Sequence, residues 1–210
     1  MQKLADGVHA FQARYFRANR KLFKKLAQGQ NPDTLFITCS DSRVVPHLIT
    51  NAQPGDMFSV QNVGNVVPSP NLPGATAAAV EYAVCVLGVE NIVVCGHTQC
   101  GAVKALLDPK SVAELPFVKR WVDQISRVRK IVDERYTHLA GDALWTAAVE
   151  ENVLVQLEHL REFPFVAERL DRGALQLAGW VFKIETGQVF EFDPDTNQFA
   201  QLQKRPDHDK

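Results

Sequence analysis

Apolar residues at Leu4, Val8, Phe11 and Tyr15, continued by Leu22, Phe23 and Leu26, recur at helical spacing. They predict an N-terminal helical segment that Gly29 and Pro32 end. The pattern then changes to short unbroken apolar runs. Thr34-Leu-Phe-Ile-Thr reads as a buried strand, Met57 to Val60 as a second and Asn91-Ile-Val-Val-Cys-Gly as a third. Pro46 opens a short helix through Thr50. The stretch 64–74, GNVVPSPNLPG, is a Pro- and Gly-rich loop expected at the mouth of a site. Ala75 to Leu87 is Ala-rich and apolar, the composition of a helix buried between a sheet and a partner, with Gly88 as its cap. A helix begins at Cys100 and runs to Leu107. Val118, Trp121, Val122, Ile125, Val128 and Ile131 fall on one face of a single amphipathic helix over 115–137, and further helices follow at 141–161 and 164–172. Leu175 to Ile184 and Gln188 to Phe192 read as two strands around the turn Glu185-Thr-Gly, and the polar tail 204–210 is expected to be disordered.

Strands alternating with helices predict an α/β fold with a mainly parallel central sheet flanked by helices. The first helix precedes every strand, so it has no crossover to make. It is expected to lie as an arm (residues 1–30) against a partner subunit. No repeat or linker divides the chain, and 210 residues at 46% hydrophobic suit one domain, 1–210. The 23 basic and 24 acidic residues leave a net charge of −1 with no basic stripe, which argues against nucleic acid and anionic membranes as partners. No apolar stretch approaches the roughly 20 residues of a membrane span, and Met1-Gln-Lys-Leu-Ala-Asp lacks the apolar core of a signal peptide. Four cysteines without a CxxC pair suggest a reducing, cytoplasmic setting.

The chemistry lies in two short words, CSDSR at 39–43 and GHTQCG at 96–101. Both follow predicted strands, and the C-terminal edge of an open α/β sheet is where sites form. Cys39, His97 and Cys100 supply two thiolates and one imidazole, the three-ligand complement of a catalytic zinc with one open position. Taken singly, each cysteine reads as an ordinary core residue; the conjunction makes the case for zinc. Cys85 and Cys95 keep the core reading, and the remaining histidines have no ligand spacing. Asp41 could accept a hydrogen bond from a zinc-bound water or close the site as a fourth ligand. A bidentate pair with Arg43 would keep it ionised and turned away from the metal.

CSDSR, the QPGDMF–QNVGNVVP stretch, AAAVEYAV and GHTQCGAVKALL together resemble the β-class carbonic anhydrases, most closely the plant-type branch shared by plants and bacteria. The resemblance runs from about Phe11 to Phe192. It implies one Zn²⁺ per chain on Cys39, His97 and Cys100, with Asp41 and Arg43 as the acting dyad. It also implies reversible hydration of carbon dioxide to bicarbonate and a proton through a zinc-bound hydroxide. Gln30 matches a glutamine that reaches the substrate from the neighbouring subunit. Phe58, Val63 and Tyr82 match an apolar substrate wall, and Gly101 offers a backbone amide. A homodimer at minimum follows, with a tetramer or larger assembly expected. Gln61 stands where most relatives have Arg. Phe36, Gln61 and Phe182 occupy the positions that hold inhibitory bicarbonate in one branch and lack the groups to do so, so the site is expected to stay open at neutral pH. Hydrolysis of carbon disulfide or carbonyl sulfide on the same zinc, or a non-catalytic zinc-binding homologue, are the competing readings.

Overall fold

A computed structural model describes residues 1–72 and 74–204; the expectation for the tail 204–210 therefore lies, Lys204 apart, outside the described residues. Six strands form one sheet in the order β2-β1-β3-β4-β5-β6: β1 Thr34–Cys39, β2 Met57–Asn62, β3 Asn91–His97, β4 Gln176–Phe182, β5 Val189–Asp193 and β6 Gln198–Gln201. The first four are parallel neighbours, and β5 and β6 add antiparallel. The expected parallel core is present. The sixth strand was missed because Gln198–Gln201 is a short, mostly exposed edge segment with no apolar alternation.

The central strands read as unbroken apolar runs because parallel strands are covered on both faces. On one face Leu35, Ile37, Ile92, Val94 and Val181 pack into the main core. Helix α4 (Ala75–Glu81), α5 (Gly101–Leu107), α7 (Ser126–Arg135) and α8 (Gly141–Arg161) contribute Val80, Val103, Val128 and Val153 to it. On the other face Phe36, Val93 and Cys95 form a smaller cluster with Met57, Trp180 and Phe182, beside a groove of about 440 Å³. Helix α8 presses directly on the sheet. A Cβ at Gly96 would come within 2.8 Å of Val153, and one at Gly179 within 2.9 Å of both Leu157 and Val153.

Three expectations need correction. The helix over 115–137 is interrupted: α6 (Pro116–Val122) and α7 are joined by a 3₁₀ turn, Asp123–Ile125. Periodicity does not register such a turn, because the buried face resumes after it. The Ala-rich helix passes from α4 into a π-helical segment, Tyr82–Leu87, whose wider turn rotates Cys85 out of the core to the surface. The loop from Gly64 is buried at its start, where Asn65, Val66 and Val67 are inside, and exposed towards its end. Finally, the N-terminal segment breaks at Asn19 between α1 (Gln2–Phe11, extended by the π-helical Gln12–Phe16) and α2 (Arg20–Leu26). Phe23 of α2 stacks edge-on against Phe11 and Tyr15. Neither helix has a buried residue, and Leu4 and Val8 are 68% and 54% exposed.

Candidate active site

Strands β1 and β3 lie side by side with Thr38 opposite Cys95, so Cys39 and His97 end adjacent strands on the same edge of the sheet. Cys100 follows in the turn that opens α5, as the residue capping its N-terminus. The strand register therefore joins words that are 58 residues apart in sequence. The ligand atoms of Cys39, His97 and Cys100 all lie within 4.8 Å of one another, and the two sulfurs are 4.0 Å apart. All three residues are buried.

The histidine is oriented for a metal. Its Nδ1–H donates to the Thr98 carbonyl at 2.9 Å, which leaves the lone pair on Nε2. That Nε2 is buried without a hydrogen-bond partner. An orphaned buried acceptor is costly unless something fills its position. Two thiols facing it complete a donor set of one nitrogen and two sulfurs, which suits zinc. The hydrogen bond from Cys100, aided by the Gly64 and Asp41 amides, pulls Cys39 down to about 4 against the effect of burial. The same bond, with burial, pushes Cys100 well above the ordinary thiol range. A dication on both sulfurs would displace the remaining proton.

Asp41 and Arg43 form the bidentate pair. Arg43 Nε donates to Oδ1 at 2.9 Å, Nη2 to Oδ2 at 2.8 Å, and the Arg43 amide adds a third bond to Oδ1 at 3.0 Å. Arg43 also reaches the Gln99 carbonyl at 3.2 Å, which ties CSDSR to GHTQCG. These bonds, the Arg43 side chain foremost, hold the Asp41 carboxyl well below the usual carboxylate range. Oδ2 nonetheless sits 3.8 Å from His97 Nε2, at the rim of the ligand cluster.

A family model described as carbonic anhydrase matches residues 34–189. This chain belongs to the β-carbonic anhydrase family. A curated carbonic anhydrase from Synechocystis is 44% identical over 207 residues, covering 98% of this chain and 76% of that one. The solved β-carbonic anhydrase CcaA superposes with a TM-score of 0.95 at 43% identity, covering 98% of this chain and 93% of that one. One of two β-carbonic anhydrases from Sordaria macrospora, described as tetrameric, gives a TM-score of 0.81 at 30% identity, covering 90% and 95%.

The remaining family positions divide into two groups. Val63 adjoins the metal edge: it is 47% exposed and precedes Gly64, whose amide donates to Cys39 Sγ at 3.3 Å. Gly101 follows Cys100, and its amide is one of the unpaired donors of the first turn of α5. Gln30, Phe58 and Tyr82 do not reach that edge in their own chain. Phe58 pairs with Leu35, four residues before Cys39 and thus about 13 Å along the strand. The Tyr82 ring lies against Phe58 at 5.9 Å. Gln30 is exposed and precedes Thr34, at the opposite end of β1 from the ligands.

Several supporting roles carried no signal in the chain. The Gln61 amide lies 3.3 Å from the Cys39 carbonyl and 3.5 Å from that of Val44, so it spans the base of the CSDSR loop. Thr98 donates to Glu185 at 2.7 Å and accepts from the Ile184 amide, which pins the residue that orients His97. Asn152 and Gln156 do leave a trace, as amide side chains four apart among the apolar positions of α8.

Proposed function

We propose that the chain is a zinc-dependent carbonic anhydrase interconverting carbon dioxide and bicarbonate, with Cys39, His97 and Cys100 as the metal ligands. The observation that carries this reading is the orphaned, buried Nε2 of His97 facing two thiols 4.0 Å apart. Zinc bound there supplies Lewis acidity that brings the ionisation of water toward neutral pH. The protein side of the reaction falls to Asp41, whose Oδ2 accepts a hydrogen bond from the nucleophilic water and fixes its orientation. Arg43 holds that carboxylate ionised and off the metal. Val63 offers an apolar surface to a linear, nonpolar substrate, and the Gly101 amide faces a developing oxygen charge.

The active unit is at least a dimer, with a tetramer or larger assembly in keeping with the Sordaria relative. Phe58 and Tyr82 lie against each other away from their own ligands, and Gln30 precedes the far end of β1, so all three serve the partner's site. The exposed apolar arm, residues 1–30, supplies the contact surface, and the rest of the chain forms one catalytic domain. Phe36 and Phe182 sit in an apolar cluster and Gln61 is engaged with loop carbonyls, so no inhibitory bicarbonate is held at these positions. Four free cysteines fit a cytoplasmic setting, and no helix among the described residues is long and apolar enough to cross a membrane.

Stopped-flow carbon dioxide hydration on zinc-loaded protein tests the reaction; a rate no higher than buffer would overturn it. Purified heterodimers of wild type with a chain carrying both Gln30→Ala and Cys39→Ser test sharing. The remaining intact site should lose activity, and undiminished turnover there, or an active monomer in sedimentation, refutes the shared pocket.

A further inference from the structure

The Gly64 backbone, not only its position beside Cys39, is held from two sides. Trp121 Nε1–H donates to the Val63 carbonyl at 2.6 Å. That carbonyl belongs to the same peptide group as the Gly64 N–H, which donates to Cys39 Sγ at 3.3 Å. On the other side of the glycine, Asn152 Nδ2 donates to the Gly64 carbonyl at 3.0 Å. Asn152 is itself fixed: Gln156 Nε2 donates to its Oδ1 at 2.9 Å, while Gln156 Oε1 accepts from the Val67 amide at 2.8 Å. His159 Nδ1–H then donates to the Val67 carbonyl at 2.7 Å. Asn152 and Gln156 are both 0% exposed.

Two fully buried amides in a helix whose other buried residues, Glu151 apart, are Ala, Val and Leu carry a desolvation cost that apolar residues of the same size would avoid. Their bonds converge on one peptide segment. Gly64 has φ +84, and a Cβ there would meet Ala102 Cβ at 2.9 Å, so the backbone has a single way to sit. A hydrogen bond accepted by a peptide carbonyl polarises the N–H of the same group, so the Trp121 bond strengthens the donor aimed at sulfur.

We propose that Trp121 and Asn152 are positioning residues for the metal centre: together they set the Gly64 N–H···S bond that orients Cys39 and moderates its charge donation. This rests on the zinc reading above. Outer groups of this kind are worth about 10- to 100-fold in metal affinity. Trp121→Phe keeps an aromatic ring and removes the N–H donor with the five-membered half of the indole; Asn152→Leu keeps the branched shape and removes the clamp. Both are loaded with Co²⁺ to read the sulfur-to-cobalt charge-transfer band, and zinc affinity is measured against a chelator. Losing charge-moderating hydrogen bonds raises the energy of the sulfur electrons. The band in each variant should therefore move to longer wavelength, with zinc affinity reduced about 10-fold. A purely structural role would lower the melting temperature and leave the band in place, and a wild-type band position in folded Trp121→Phe overturns the proposal. If Asn152→Leu does not fold, Trp121→Phe decides alone. Wild-type protein that binds neither Co²⁺ nor Zn²⁺ would instead overturn the zinc reading, and this inference with it.

Discussion

Replacing Gly96 with Ala tests how tightly α8 is set against the sheet beside His97. The added Cβ would stand 2.8 Å from Val153 Cγ2 and 3.2 Å from Val149 Cγ1. Carbon atoms pack best at about 3.5–4.0 Å, so the closer contact is short by roughly 0.7 Å or more. Neither valine can turn aside easily, because a β-branched side chain in a helix has one strongly preferred rotamer. The helix must shift, and overpacking of this kind costs about 1–3 kcal/mol. Against this, Gly→Ala at an ordinary strand conformation gains about 0.4–1 kcal/mol by restricting the unfolded chain. The clash wins, with a net loss of about 1–2 kcal/mol. At about 2–4 °C per kcal/mol for a chain of this size, the melting temperature should fall by about 2–8 °C. Val153→Ala removes the closest methyl, so in the double variant the two costs should not add, with a coupling of about 0.5 kcal/mol or more. Thermal and urea unfolding of the zinc-loaded protein measure all four species. Additive costs, or a Gly96→Ala variant as stable as wild type, would refute the claim that α8 sits in direct contact at Gly96.

Cys39→Ser and Cys100→Ser should each lose zinc and activity together, and full zinc occupancy by metal analysis removes that residue from the ligand set. Asp41→Asn should retain zinc and lose about 10²-fold or more in turnover, since the amide cannot serve as a charged acceptor. Arg43→Ala should also lose activity by freeing the carboxylate, and near-wild-type rates in both variants would reduce the pair to a structural turn. Burial raises the Glu150 carboxyl above its ordinary value, only partly offset by Lys183. The protonated form is thus favoured in the fold, and stability is lost as pH rises from the unfolded pKa through the folded one. Glu150→Gln should therefore stabilise the protein at pH 8 and have little effect below about pH 4, where the free carboxylate is itself protonated; the opposite trend in melting temperature contradicts it. In zinc-loaded protein only Cys85 should react rapidly with a thiol reagent, because Cys85 is exposed whereas burial pushes Cys95 up to about 12; a second fast thiol per chain contradicts this.

The sequence by itself determined the parallel core and singled out the Cys39, His97 and Cys100 grouping and the Asp41–Arg43 pair, because the marks of each are local. Apolar runs between Gly and Pro mark strands, and Cys-x-Asp-x-Arg and His-x-x-Cys carry their chemistry within five residues. It misplaced what depends on phase or on distant surfaces. The 3₁₀ turn at Asp123–Ile125 and the π-helical Tyr82–Leu87 change the rotation per residue, so periodicity mistook one broken helix for a continuous one and assigned Cys85 to the core. The tertiary structure alone decided which nitrogen of His97 is free, since that follows from the Thr98 carbonyl bonded to Nδ1. It alone showed how far Phe58, with the Tyr82 ring against it, lies from the ligands of its own chain, because strand register sets distance along the sheet. And it alone drew Trp121 and Asn152, 58 and 88 residues from the backbone they hold, onto Gly64. A hydrogen bond between remote residues leaves no local pattern in the chain; it exists only once the fold has brought donor and acceptor within reach.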